Sequence, residues 1–155
     1  MSDSKLCPAL LITVAAGCIG AIGNVHAGTP TGWQQFNDKA GRCSISVPPD
    51  WKAPVIKSAP ESPNKNYQAI ISSSDMSKSL AEVKPVATQM MKPVKMFEDG
   101  PSRLWYEFEG NEGTGTHWYV AVPARGAVCV AQVIFKSAAD LATLKTVATS
   151  LTAVH

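Results

Sequence analysis

The chain has 155 residues, 14 Lys+Arg against 12 Asp+Glu, a net charge of +2 and 45% hydrophobic residues. That length fits one ordinary domain, and the apolar content is that of a packed core rather than of a disordered polar chain. The lysines are scattered singly, with no basic block, so charge gives no reason to expect nucleic acid as a partner.

Met1 to Ala27 is predicted to be a cleaved export signal. A single early lysine precedes an apolar run from Leu6 to Ile22, and Val25-His26-Ala27 places small residues at −3 and −1. The run contains Pro8, Gly17 and Gly20 and sits at the short limit for a membrane span, so cleavage is preferred to anchoring. Two cleavage sites compete. Cleavage after Ala27 releases a soluble protein that begins at Gly28. Ala15-Ala16-Gly17-Cys18 resembles a lipobox, and a diacylated Cys18 would instead tether the domain to a membrane. Either way the expected location is outside the cytoplasm, in the periplasm or beyond, with membrane attachment only through Cys18.

Cys43 and Cys129 are the cysteines that survive cleavage at Ala27. In an oxidising compartment two thiols in one domain commonly pair, and the alternative is two separately buried thiols. Neither has a histidine or another cysteine at ligand spacing, so no metal site is expected.

Residues 28–32 read as a flexible lead-in and residues 33–155 as one α+β domain. Trp33 to Phe36 and Cys43 to Val47 form a predicted hairpin, with Cys43, Ile45 and Val47 on one face. Pro48-Pro49 ends it, and Trp51 is placed at one end of the core. Residues 57–66 are polar and proline-bearing, an expected exposed loop, and Tyr67 to Ser72 is a strand. Ser72 to Asp75 offers caps for a helix whose face carries Leu80, Val83, Ala87, Met90 and Met91. Pro85 should either kink this helix or open its first turn. A meander of strands follows: Val94 to Phe97, Arg103 to Glu109, Thr116 to Val122 and Ala127 to Phe135. The last, apolar on both faces, is expected centrally and covered on both sides. Ser137 is the expected cap of a closing helix with a Leu141, Leu144, Val147, Ala148, Leu151 stripe.

The layout is an antiparallel β-sheet with helices packed on its faces. Gly41-Arg-Cys-Ser-Ile-Ser-Val-Pro-Pro-Asp-Trp51, together with the strand 127–135 running through Lys136-Ser137 into a final helix, resembles the PsbP/Mog1-like superfamily. The resemblance implies an α/β/α sandwich and a role among small secreted or lipoprotein binding proteins, assembly factors and adaptors. It carries no functional residue over.

Chemistry is sparsely signalled. His117 is the only histidine between the two ends of the domain, and a general base could be built from it with Glu107 or Glu109 on the neighbouring strand, giving a weak hydrolase. The competing reading is a histidine on the sheet surface beside a polar carboxylate face. No Gly-x-Ser-x-Gly elbow, P-loop or dinucleotide motif occurs, and Gly110-Asn-Glu-Gly-Thr-Gly115 lies between strands, not before a helix. The expectation is therefore a non-catalytic protein without a cofactor. Its contact with a protein partner or envelope component is expected through the 110–115 loop or an aromatic patch of Trp105, Trp118, Tyr119 and Trp33, unless the second helix covers that face. A small-molecule carrier, with a cleft between sheet and middle helix lined by Met90, Met91 and Trp105, is the alternative.

Overall fold

The first hairpin forms where the alternation places it. In the computed structural model, which describes residues 28–154, β1 (Gln34–Asn37) and β2 (Cys43–Val47) pair antiparallel with Phe36 opposite Ile45. The Asp38 carboxylate organises the connection, accepting from the Arg42 and Cys43 amides at 2.7 and 2.9 Å and from Ser73 Oγ at 2.6 Å. Burial raises the pKa of this group, but those bonds to its charged form outweigh it and hold the carboxyl below its ordinary value.

The segment expected as an exposed loop, 57–66, is partly buried. The Ala69 amide donates to Pro60 O and the Ile71 amide to Ser58 O, each at 2.9 Å, while Lys52 and Glu61 bridge behind it. Residues 58–62 thus close the outer edge of β3 (Tyr67–Ser74), whose backbone groups would otherwise lack partners. Ser72 to Ser74 continue that strand and cap nothing. The cap of α1 (Leu80–Met90) is Ser79, whose hydroxyl accepts from the Glu82 amide. Pro85 lies inside α1, which runs through it and buries Leu80, Val83 and Ala87.

β4 (Pro93–Asp99) is longer than expected and carries two register irregularities against β5 (Leu104–Glu109). β6 (Thr116–Ala124) and β7 (Ala127–Phe135) meet at Arg125-Gly126, where Gly126 takes φ +71°, a conformation glycine supplies without strain. α2 (Leu141–Thr149) is capped by Asp140, which accepts from the Thr143 amide, and not by Ser137. The Ser137 hydroxyl accepts from the Ala139 amide in a turn one step earlier. β8 (Thr152–Ala153) was not foreseen; it pairs with Cys43 and Ser44.

Two antiparallel sheets result, of order β3-β7-β6-β5-β4 and β1-β2-β8. The first hairpin therefore joins β8 instead of extending the main sheet. Strand alternation then sends neighbouring side chains to opposite layers. Leu104, Tyr106, Phe108, Tyr119 and Ala121 pack under α1. Trp105, Trp118, Val120, Ala131 and Val133 pack under α2 and the small sheet, where Leu144, Val147 and Leu151 each contribute roughly 1.5–3 kcal/mol by leaving water. Ser150, which caps the end of α2, ties it to β2: its hydroxyl accepts from the Ser46 amide at 2.9 Å.

Cys43 and Cys129 form a disulfide between β2 and β7, with Cα atoms 5.5 Å apart. It joins the two sheets covalently. β7 is interior to the large sheet, as expected, but it is fully covered only on the α2 side. Val130, Gln132 and Ile134 on the other face are half-buried, because α1 packs over the β5–β6 half.

Candidate functional site

The aromatic residues singled out in the sequence do not share a surface. Trp105 and Trp118 are 8% and 2% exposed and meet edge to face at 5.4 Å, with Phe97 and Phe135 completing the cluster. Trp118 Nε1 donates to Glu107 at 3.0 Å. Tyr119 lies on the opposite face under α1, 4% exposed and stacked on Tyr106, and burial pushes its hydroxyl pKa up to about 12. Trp33 is half-buried against the α2-side core. The cause is the cover: α2 and the small sheet close the face that an exposed patch would have needed. The residues expected to line a carrier cleft are not brought together, for a related reason. Trp105 faces away from α1, Met90 at the last position of α1 is 77% exposed to solvent, and of the three only Met91 packs against the α1-side core.

His117 and the carboxylates are likewise separated. Glu107 pairs in register with Trp118 and Phe108 with His117, so the imidazole lies on the α1 side while Glu107 and Glu109 project from the other. His117 packs on Phe108 at 5.1 Å, its Nε2 meets Thr114 Oγ1 at 3.0 Å, and its Nδ1 is buried without a partner among the described residues. Desolvation lowers its pKa. The general base expected of His117 with Glu107 or Glu109 is therefore not assembled.

The 110–115 loop borders an open cleft of 630 Å³ whose mouth carries Glu107, Glu109, Glu112 and Lys136. Gly115, at φ +94°, lets the loop lie against β7; a β-carbon there would overlap the Phe135 carbonyl. Among the described residues no three His, Cys, Asp or Glu side chains are grouped to hold a metal ion.

A second surface was not anticipated. Residues 35–39 form one wall of a 700 Å³ groove, and Ala53, Ile56, Lys57 and Ser58 form the other. Phe36, Ala53 and Ile56 supply its apolar surface, and Lys39 and Lys57 supply its cations. Ile56 in the lining is 59% exposed, and its chain neighbour Val55 89%. The one legible trace of this groove is an aliphatic pair, Val55-Ile56, standing between Pro54 and Lys57 in an otherwise polar connection.

No family's sequence profile matches the chain, and no curated protein matches it. Among solved structures, the solution structure of cyanobacterial PsbP (CyanoP) from Synechocystis sp. PCC 6803 aligns with 89% of this chain and all of its own, with a TM-score of 0.52 and 16% sequence identity. At that identity the likeness is one of fold. The chain has a PsbP-like fold.

Proposed function

We propose that the chain is a non-catalytic exported protein that binds a protein partner or envelope component, with the groove between β1 and residues 53–58 as its contact surface. The observation that carries this reading is the groove itself, in which an exposed Ile56 and the half-buried Phe36 and Ala53 stand beside two lysines with no structural partner among the described residues. An apolar floor with a charged rim is the anatomy of a protein contact. The acids and bases that catalysis would draw on are committed elsewhere: Glu107 holds Trp118, Asp38 holds the β1–β2 turn, and His117 stands without a carboxylate.

Export is supported by the buried Cys43–Cys129 disulfide, a bond that persists in oxidising compartments. The signal segment and the lipidation candidate Cys18 lie outside the described residues. Among the described residues no helix is long and apolar enough to cross a membrane. Mass spectrometry of the mature protein separates the two forms: a Gly28 N-terminus means release, and a diacylglycerol adduct on Cys18 means a tether.

The test of the binding reading is site-specific photocross-linking in the native envelope, with the probe at position 56 and a control probe at Arg125 in the β6–β7 turn. A discrete adduct from position 56 and none from Arg125 is expected. Adducts from Arg125 alone, or from neither position, would reject it.

A further inference from the structure

Sheet edges are hazards that folded proteins ordinarily guard. Among the described residues three of the four edges are guarded. The outer edge of β3 is covered by residues 58–62. β4 starts with Pro93 and is interrupted by two register shifts. β8 is only two residues long. β1 has neither proline nor bulge, keeps an unbroken register with β2 and forms the outer edge of the three-stranded sheet. That open edge is a wall of the groove just described.

The ladder shows which backbone groups face outward. The Asp38 amide donates to Cys43 O at 3.0 Å, so Asp38, Phe36 and Gln34 direct their backbone groups toward β2. Gln35 and Asn37 therefore present theirs to the groove. An extended chain laid against them would gain main-chain hydrogen bonds, and its alternate side chains would enter the groove. The strand residues on that wall, 35–37, offer it roughly 10 Å at about 3.3 Å per residue.

The side chains select the occupant. Phe36, Ala53 and Ile56 receive the apolar side chains on one face of the added strand, and the exposed Lys39 and Lys57 meet carboxylates on its outward face. The one acid in the lining, Asp38, is buried and bonded within the turn, and the two exposed lysines outweigh it, so the lining keeps a net positive charge. A second copy of this chain fits poorly, because β1 reads Gln-Gln-Phe-Asn and brings no acid to those lysines. We infer that β1 takes up an extended segment of a protein partner, with alternating apolar and acidic residues, as an added strand of the small sheet. This rests on the binding role proposed above and specifies how the partner is held.

The test uses the oxidised mature protein and a synthetic probe, acetyl-Val-Glu-Val-Glu-Val-Glu-amide, followed by amide NMR and fluorescence anisotropy. Saturable binding with shifts centred on Gln35 and Asn37 is expected, together with loss of binding when the nitrogens on one edge of the probe, its valines' or its glutamates', are methylated. Replacing Glu by Lys in the probe, or making Lys39→Glu with Lys57→Glu, should weaken it about tenfold or more. Gln35→Pro removes an outward donor and leaves the amide that faces β2 intact, so it should also weaken binding. The methylated probe needs no protein variant, so a variant that fails to fold leaves the test intact. Four results would overturn the inference: no binding, binding indifferent to methylation, shifts centred on the 110–115 loop, or response only to anionic phosphatidylglycerol vesicles. A dimer in sedimentation that Gln35→Pro dissolves would assign the edge to a second copy and overturn it equally. If cross-linking from position 56 succeeds and the probe fails, strand addition is wrong and the binding role stands; if both fail, both are wrong.

Discussion

Reducing the Cys43–Cys129 disulfide should cost this domain a large part of its stability, and the cost should come from the unfolded chain. The bond closes a loop with a sequence separation of 86. The chain-entropy relation for a loop of that length gives about 4.5 kcal/mol at 25 °C, against a total of about 5–15 kcal/mol for a typical domain. Both cysteines are fully buried, and as thiols they would remain small apolar core residues, so the folded state should lose little. For a domain of roughly 130 residues the unfolding entropy is about 0.27 kcal/mol per kelvin, which converts the loss to a fall in Tm of about 17 °C. The assay is urea unfolding followed by tryptophan fluorescence, with and without dithiothreitol, and with Cys43→Ala/Cys129→Ala as the permanent form. The denaturant slope should rise on reduction, because an unlinked unfolded chain exposes more surface. A loss below about 1 kcal/mol, or an unchanged slope, would refute an unfolded-state origin.

Three further outcomes follow from buried polar groups. Tyr106 is fully buried and its hydroxyl has no hydrogen-bond partner among the described residues, so Tyr106→Phe should be neutral or stabilise by up to about 1 kcal/mol in the same unfolding assay. Asp38→Asn should cost about 1–3 kcal/mol at pH 7, because the amide cannot replace a carboxylate accepting from Arg42, Cys43 and Ser73. Since the folded pKa of Asp38 is lowered, its contribution is complete above the unfolded value near 3.9 and is lost as pH falls through the folded value; acid titration of the variant should lack that component. His117 has the opposite linkage. Its folded pKa lies below the ordinary 6.5 because burial disfavours the imidazolium, so stability should fall as pH drops below about 6.5 and level off beneath the folded value. An NMR titration of the ring should show a midpoint below 6.5, and His117→Gln should flatten that part of the stability profile.

Strand faces were the most legible part of this chain. The alternation Leu104, Tyr106, Phe108 against Trp105, Glu107 is the alternation that the two core layers display, because a period of two belongs to the backbone itself. The α2 stripe was equally readable, with Leu144, Val147 and Ala148 buried as the helical period requires. Helix caps were less so. Several Ser and Asp residues precede each helix, and the cap is whichever one remains after its neighbours enter a strand or turn; Ser79 and Asp140 won those places. Segments without periodicity carried no signal. Residues 58–62 cover an edge and Thr152-Ala153 adds a strand only because their backbones find unpaired groups nearby.

The sequence by itself determined the α+β class and the alternation of the strands, since each follows from local periodicity. Tertiary structure decided the rest. Whether Trp105 and Trp118 are surface or core depends on where α2 docks, and whether His117 meets a carboxylate depends on which side of the sheet each projects from. The open edge of β1 is a property of no single residue. It exists because β2 takes one side of that strand, and residues 53–58 stand off from the other far enough to leave a groove.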